Sequence, residues 1–407
     1  MRMKRLLMHW LVVLLGGAVW AAEAPSSAEQ ASFPNGWDEF IQLFDRSIEH
    51  DRIAGASILV VNDRRVAAHH EHGFADIAGH RPVNERTIYH YGSITKTLTA
   101  IAIMQLRDRG RLTLEDRVTQ YIPELRMVHD PYGSIDRITI RMLLSHSSGF
   151  QNPTWPYKQG KPWEPFEPTT WSQLVAMMPY QELLFEPGTR YSYSNPAFIY
   201  LGRIIEQLSG DPWETYIQKN IFAPLGLTRS YFGVTPYYLA GDRSHNYTVT
   251  RDTAGNEVVR DNGTEFDPGI TIPNGGWNAP LEELATYLAF LTNATHGDPA
   301  TQLRYDTVLK HSSLEEMWKP LHPVNPAAEN EQERAEAMGM SFFVLPRERA
   351  TIIGHTGSQA GFLAFMYLNP ANGAAVAAAF NTASELSPRD ERPAFGKVRD
   401  AALKLIE

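Results

Sequence analysis

Strand-like segments near both ends of a 407-residue chain, enclosing a long middle of helical periodicity and proline-rich loops, predict an α/β (α+β) protein. The two ends are expected to complete one layer, and the middle to form an inserted helical subdomain. With 43% hydrophobic residues the chain can bury a large core, in one big domain or two closely packed parts.

The start is basic (Arg2, Lys4, Arg5), then largely apolar from Leu6 to Val19, then Val19-Trp20-Ala21. That order matches a secretory signal, with cleavage expected after Ala21. The alternative is a retained anchor, although the run is short for a span and His9 interrupts it. No later stretch is long and apolar enough to cross a bilayer. A periplasmic or secreted protein is expected, with no stable membrane span after cleavage.

Next, Trp37 to His50 has helical spacing in Phe40, Leu43, Phe44 and Ile48. Ala56 to Val61 and Arg65 to His72 read as strands joined at Asn62-Asp63, a hairpin signal. Leu98 to Leu106 is helical. From Leu112 to about Thr292 the pattern is mainly helices and proline-rich loops such as Asn152-Pro153-Thr154-Trp155-Pro156. Ser341 to Leu345, Thr351 to Gly354, Phe362 to Leu368 and Ala374 to Phe380 return to strand character, with a turn over Asn369 to Gly373. A last helix runs from about Ala394 to Ile406.

Composition excludes several classes. Net charge is -9 with mixed signs and no basic block, so no nucleic-acid surface is indicated. The absence of cysteine rules out disulfides, a cysteine nucleophile and thiolate metal sites. The 27 prolines and 29 glycines are dispersed, and no internal repeat is evident.

The segment HYGSITKTLTAIAIM, His90 to Met104, sets Ser93 before a helix-like run, with Lys96 three residues on. An N-cap role would account for the serine, whose hydroxyl can accept from an unpaired backbone N–H. It leaves the lysine without a role. Positions i and i+3 share a helix face. A serine hydroxyl attacks carbonyls when a neighbouring base takes its proton, and burial lowers a lysine's pKa by disfavouring the ammonium. A helix N-terminus would also favour an oxyanion beside Ser93. Such a pair alone recurs by chance.

Two more clusters sharpen the reading. Tyr193-Ser194-Asn195 precedes a proline and a helix, and places a phenol and a carboxamide where both can face one cleft. His355-Thr356-Gly357-Ser358 stands at the end of a strand, before Ala360-Gly361, where small residues let a substrate backbone lie along the edge. Each also reads as plain structure, an Asn-Pro helix start and a strand terminus with turn glycines.

Together these residues resemble the serine β-lactamase and penicillin-binding-protein-like hydrolases, class C-like branch, which includes D-peptidases and family VIII carboxylesterases. Ser93-Ile94-Thr95-Lys96 matches Ser-x-x-Lys, Tyr193-Ser194-Asn195 matches the Tyr-x-Asn form of the second motif, and His355-Thr356-Gly357 matches Lys-Thr-Gly with His for Lys. Ile138 to Phe150, Pro224 to Phe232 and Asn274 to Leu288 also look like connecting segments of this branch. The resemblance implies an antiparallel sheet flanked by helices plus an inserted all-helical subdomain. It covers a single catalytic domain over 37–407, with an α/β part at about 37–110 and 335–407 and a mainly helical part at about 111–334.

It further implies Ser93 as nucleophile, with Lys96 and Tyr193 sharing the proton traffic; which is the primary base stays open. Asn195 would bind the acyl side of the substrate, and His355, Thr356 and Gly357 would line the leaving-group side. Backbone N–H groups of Ser93 and Ser358 would form an oxyanion hole. No cofactor and no metal are implied, and the partner is a small-molecule or peptide substrate, with oligomeric state open. His355 is neutral near pH 7 at its ordinary pKa of about 6.5, and no Arg or Lys lies within Ser341 to Leu345, although Arg347 and Arg349 follow. A D-amino-acid peptide or amide, or a small ester, is therefore expected as substrate. A β-lactamase or penicillin-binding carboxypeptidase is the alternative, and a non-catalytic ligand-binding relative is the alternative of another class.

Other features carry less. In His69-His70-Glu71-His72 only His70 and His72 share a strand face, and no third ligand stands at a metal-site spacing, so a surface hairpin is expected. His146 reads as a structural loop residue. Aromatic residues from Trp155 to Trp171 suit a substrate wall or packing equally. No Gly-x-Ser-x-Gly elbow is present, which argues against an α/β-hydrolase.

Overall fold

Apolar runs whose side chains alternate between two covered faces build the central sheet. The computed structural model describes residues 36–150, 168–294, 297–387 and 391–407. Helix α1 (Trp37–His50) leads into strands β1 (Gly55–Asn62), β2 (Arg65–Asp76) and β3 (Arg81–Pro82). The sheet resumes far along the chain with β4 (His322–Pro323), β5 (Ala337–Met338), β6 (Phe343–Pro346), β7 (Thr351–Gln359), β8 (Phe362–Leu368) and β9 (Ala375–Phe380). The order across it is β3-β2-β1-β9-β8-β7-β6-β5-β4, every pair antiparallel. The two halves meet at the seam where Ala56 pairs with Phe380 and Val61 with Ala375.

Period-two alternation assigns each side chain to a layer. Ile58, Val60, Phe365, Tyr367, Val376 and Phe380 join a core with α1 and α5 (Pro393–Leu403), whereas Leu59, Val61, Met366, Ala377 and Ala379 join the larger core on the other face. That second core holds three long helices, α2 (Thr95–Asp108), α3 (Asn195–Ser209) and α4 (Leu281–Leu291). Helix α2 is its centre: every residue from Thr95 to Leu106 is buried, as expected of a helix packed on all sides.

Several boundaries differ from expectation. The β1–β2 loop is Asp63-Arg64, one residue later than expected, since Asn62 pairs with Arg65 and both loop residues have positive φ, 57° and 65°. That left-handed pair twists as the flanking strands do. The motif His355-Thr356-Gly357-Ser358 lies inside β7 and not at a strand end, paired through Gln359↔Phe362. The middle of the chain is not all helix. Tyr247–Arg251 pairs antiparallel with Glu257–Asp261 and parallel with Thr382–Ser384, and Trp277–Pro280 lies between Ile88–His90 and Tyr231–Phe232. These strands are short, and apart from the local pairing of Tyr247–Arg251 with Glu257–Asp261 their partners are distant in sequence, so local periodicity does not reveal them. Residues 1–21, where a signal is expected, and the aromatic stretch before Trp171, with its loop at Asn152 to Pro156, lie outside the described residues.

Candidate active site

A left-handed glycine makes the turn that aims Ser93. Gly92 has φ 49°, and a Cβ there would lie 2.9 Å from the Ser358 backbone nitrogen. Across the same junction, a Cβ on Gly357 would collide with the Tyr91 carbonyl oxygen and lie 3.2 Å from the Ser93 nitrogen. Two glycines thus let the start of the Ser93 turn and β7 approach backbone to backbone. The Ser93 and Ser358 nitrogens flank that junction.

Residues Gly92–Ile94 form a single 3₁₀ turn that continues into α2. Ser93 does not cap it: no side-chain cap bond is made at either start. Instead the Ser93 hydroxyl lies 2.9 Å from Lys96 Nζ, as the i, i+3 spacing predicts. Lys96 is fully buried and donates to the Asn274 carbonyl at 2.9 Å. Thr99, one turn on, donates to the Pro273 carbonyl at 2.6 Å, while Thr95 accepts from the Trp277 N–H at 3.0 Å. The polar residues of this buried helix therefore bind it to the segment 273–277. Burial pushes the Lys96 ammonium well below its ordinary pKa, because a sealed cation loses its hydration.

Tyr193 completes a triangle. Its phenol is hydrogen-bonded to Ser93, and Lys96 Nζ stands 4.9 Å from its ring centroid. Burial raises the phenol's pKa, with the Ser93 bond opposing in part, so the group stays protonated at neutral pH. His146 holds this ring from behind: the rings stack at 4.3 Å, and His146 Nδ1 accepts the Ser194 N–H at 3.0 Å. The loop reading of His146 holds, and the imidazole is kept neutral by burial and by nearby Lys96 and His355. Ser194 caps α3 by accepting the Ala197 N–H, which sets Asn195 in the first turn, where its Oδ1 accepts from Asn274 Nδ2 at 3.3 Å.

On the β7 side, His355 is buried, its Nδ1–H donating to the Thr356 carbonyl and its Nε2 left without a partner. Burial, with Lys96 adding to it, holds this imidazole down at about 3. Thr356 borders a cavity of about 250 Å³ shared with Tyr191, Phe343, Arg347 and Arg399. Tyr191, a second phenol two residues before Tyr193, meets His146 edge-on at 6.0 Å, on a ring that in turn stacks on Tyr193. Among the described residues the structure thus gathers Ser93, Lys96, Tyr193 and Asn195 against β7. Spacing alone does not reveal Asn274, which contributes a backbone carbonyl, or the stacking ring of His146.

A fold with two motif-bearing helix starts facing one strand has known counterparts. Residues 40–400 match the family model described as Beta-lactamase. The chain belongs to the beta-lactamase family. Its solved neighbours include the octameric penicillin-binding protein homologue from Pyrococcus abyssi, at TM-score 0.72 and 26% identity over 90% of this chain and 77% of that one. They include also the D-amino acid amidase from Ochrobactrum anthropi SV3, at TM-score 0.69 and 19% identity over 90% and 97%. Protein flp of Staphylococcus aureus (strain COL) is 25% identical over 355 residues, 86% of this chain and 64% of that protein. The chain thus spans just under two thirds of that curated relative. Among the described residues no helix is long and apolar enough to cross a membrane.

Proposed function

We propose that this beta-lactamase family member is an exported hydrolase that forms a covalent acyl-enzyme at Ser93 on a D-amino-acid peptide or amide, or a small carboxylic ester. The observation that carries the reading is a buried, uncompensated Lys96 whose nitrogen lies 2.9 Å from the Ser93 hydroxyl. Desolvation favours the neutral amine, which takes the Ser93 proton as the oxygen attacks the carbonyl carbon. Tyr193, kept as a protonated phenol, suits donation to the leaving group, and recovers its proton through Ser93 and Lys96. This division makes Lys96 the first base. Backbone N–H groups of Ser93 and Ser358 would bind the oxyanion, Asn195 the acyl-side amide, and Thr356 and Gly357 the leaving-group side. Water then attacks the ester, and the same groups return the Ser93 proton.

Substrate preference rests on His355. A neutral imidazole cannot hold a carboxylate as a lysine would, and the nearby Arg347 is paired with Glu336 at 3.1 Å. The likeness in fold to a D-amino acid amidase is in keeping with a D-amino-acid amide or peptide as substrate. The likeness to a penicillin-binding protein homologue favours β-lactam acylation as the second reading. A fluorophosphonate probe and side-by-side kinetics on nitrocefin, p-nitrophenyl butyrate and a D-alanyl peptide test both. Labelling at Ser93 with the ester or peptide preferred is expected. Ser93→Ala should lose labelling and at least ~10⁴-fold in turnover while staying folded, because Ser93 caps nothing. A preference for nitrocefin would select the second reading, and full turnover in Ser93→Ala would exclude both.

A further inference from the structure

His70 and His72 leave β2 on the same face, and α1 covers that face. Their imidazoles converge on one carboxylate oxygen: His70 Nε2 lies 2.7 Å and His72 Nδ1 2.9 Å from Asp45 Oδ1. These three atoms lie within 4.8 Å of one another. Glu49, one turn after Asp45 on α1, brings Oε1 to 3.8 Å from the remaining ring nitrogen of His72, Nε2. The sequence shows only the strand pair. Folding supplies the third group from a helix 25 residues earlier than His70.

We propose that Asp45, His70 and His72 form a binding site for a divalent transition-metal ion, with Zn²⁺ the probe that suits it, joining α1 to β2. Two imidazoles and a carboxylate are a favourable donor set for Zn²⁺, and they leave a coordination position for water. With metal–ligand bonds of about 2.0–2.1 Å, tetrahedral ligands stand about 3.3 Å apart. Entry of the ion therefore requires the Asp45 carboxylate to withdraw by about 0.5 Å and the two imidazole nitrogens, within 4.8 Å of one another, to settle at that same spacing. The side chains are 27%, 25% and 34% exposed for His70, His72 and Asp45, so a hydrated ion can reach them. Their backbones belong to a regular helix and strand, and Phe44 meets the His70 ring edge-on at 5.7 Å, which limits its rotation. Glu49 suits the outer partner that accepts His72 Nε2–H and turns the Nδ1 lone pair toward the ion.

The test uses the full chain stripped with chelator and titrated with Zn²⁺ at neutral pH, followed by calorimetry and by Tm. One ion per chain is expected, bound at micromolar concentration or below, with Tm rising as Zn²⁺ is added. Asp45→Asn should weaken binding by about 100-fold or more and Glu49→Gln by about tenfold. The pair His70→Gln/His72→Gln should abolish it. Circular dichroism and ester hydrolysis should match wild type in each variant, and the exposed Glu49→Gln reads the site without disturbing the core. No stoichiometric binding by wild type below about 100 µM would overturn the proposal. So would Asp45→Asn binding Zn²⁺ as tightly as wild type, which would reduce the site to a surface histidine pair.

Discussion

Lys96 is held between two oxygens, the Ser93 hydroxyl and the Asn274 carbonyl, with burial as the cause that displaces its titration. Its pKa is lowered, so raising pH through that point releases the amine and should switch the base on. The acidic limb of kcat/KM is therefore expected to follow Lys96, well below the ordinary lysine range. No limb should come from His355, which is neutral at any pH much above 3. Lys96→Met, close in size and without the nitrogen, should lose about 10²–10⁴-fold in kcat/KM and take the limb with it. A limb surviving in that variant would assign it to another group. Tyr193→Phe removes only the hydroxyl and should cost about 10²-fold in kcat with KM little changed. At this scale Ser93, Lys96 and Tyr193 are legible in the sequence because side-chain chemistry at fixed spacing is what a motif encodes. Asn274 acts through its carbonyl and His146 through a ring face, and neither leaves a mark in spacing.

β7 is the element whose placement matters most to the cleft. Gly357 stands where the first carbon of any side chain would strike the Tyr91 carbonyl. Gly357→Ala must push β7 away from the Ser93 turn. The expected loss is about 1–3 kcal/mol in stability, together with a fall in kcat larger than the fall in the folded fraction, because the Ser93 and Ser358 nitrogens separate. Thermal melts and active-site titration on one preparation check this; unchanged kcat would show that the junction is not critical. Elements with strong local pattern are readable end to end: α1 and β8 fall on the residues that periodicity marks. By composition β7 ends at Gly354, because His355-Thr356-Gly357-Ser358 has the residues of a turn, and only pairing with β8 makes it strand. The hairpin of Tyr247–Arg251 with Glu257–Asp261 escapes local pattern for another reason: its second strand buries no residue, so it lacks an apolar face to mark it.

For the whole molecule, buried histidines link folding to acidity. Burial lowers His90 to about 4 and His355 to about 3, and puts His146 well below its usual value, against about 6.5 in an unfolded chain. Below pH 6.5 the unfolded state takes up protons that the native state refuses. The stabilisation these groups give is complete above that pH and drains away as pH falls toward 3. Tm is expected to fall by several degrees between neutral pH and the mid-fours, and a flat profile would contradict these directions. Replacing His90, whose ring bonds Asn278 at 2.9 Å and Gln359 at 3.1 Å, by Gln should reduce that slope.

The seam where Ala56 pairs with Phe380 also sets an order of events in time. The sheet cannot close until its last strand has been synthesised, and closing so long a loop is slow. The Ser93 turn and β7 lie on opposite sides of that delay. A nascent or still-threading chain therefore carries its serine without the facing strand, and is chemically silent until the fold is finished. Recovered activity on refolding thus reports completion of the final pairing, later than the appearance of helix.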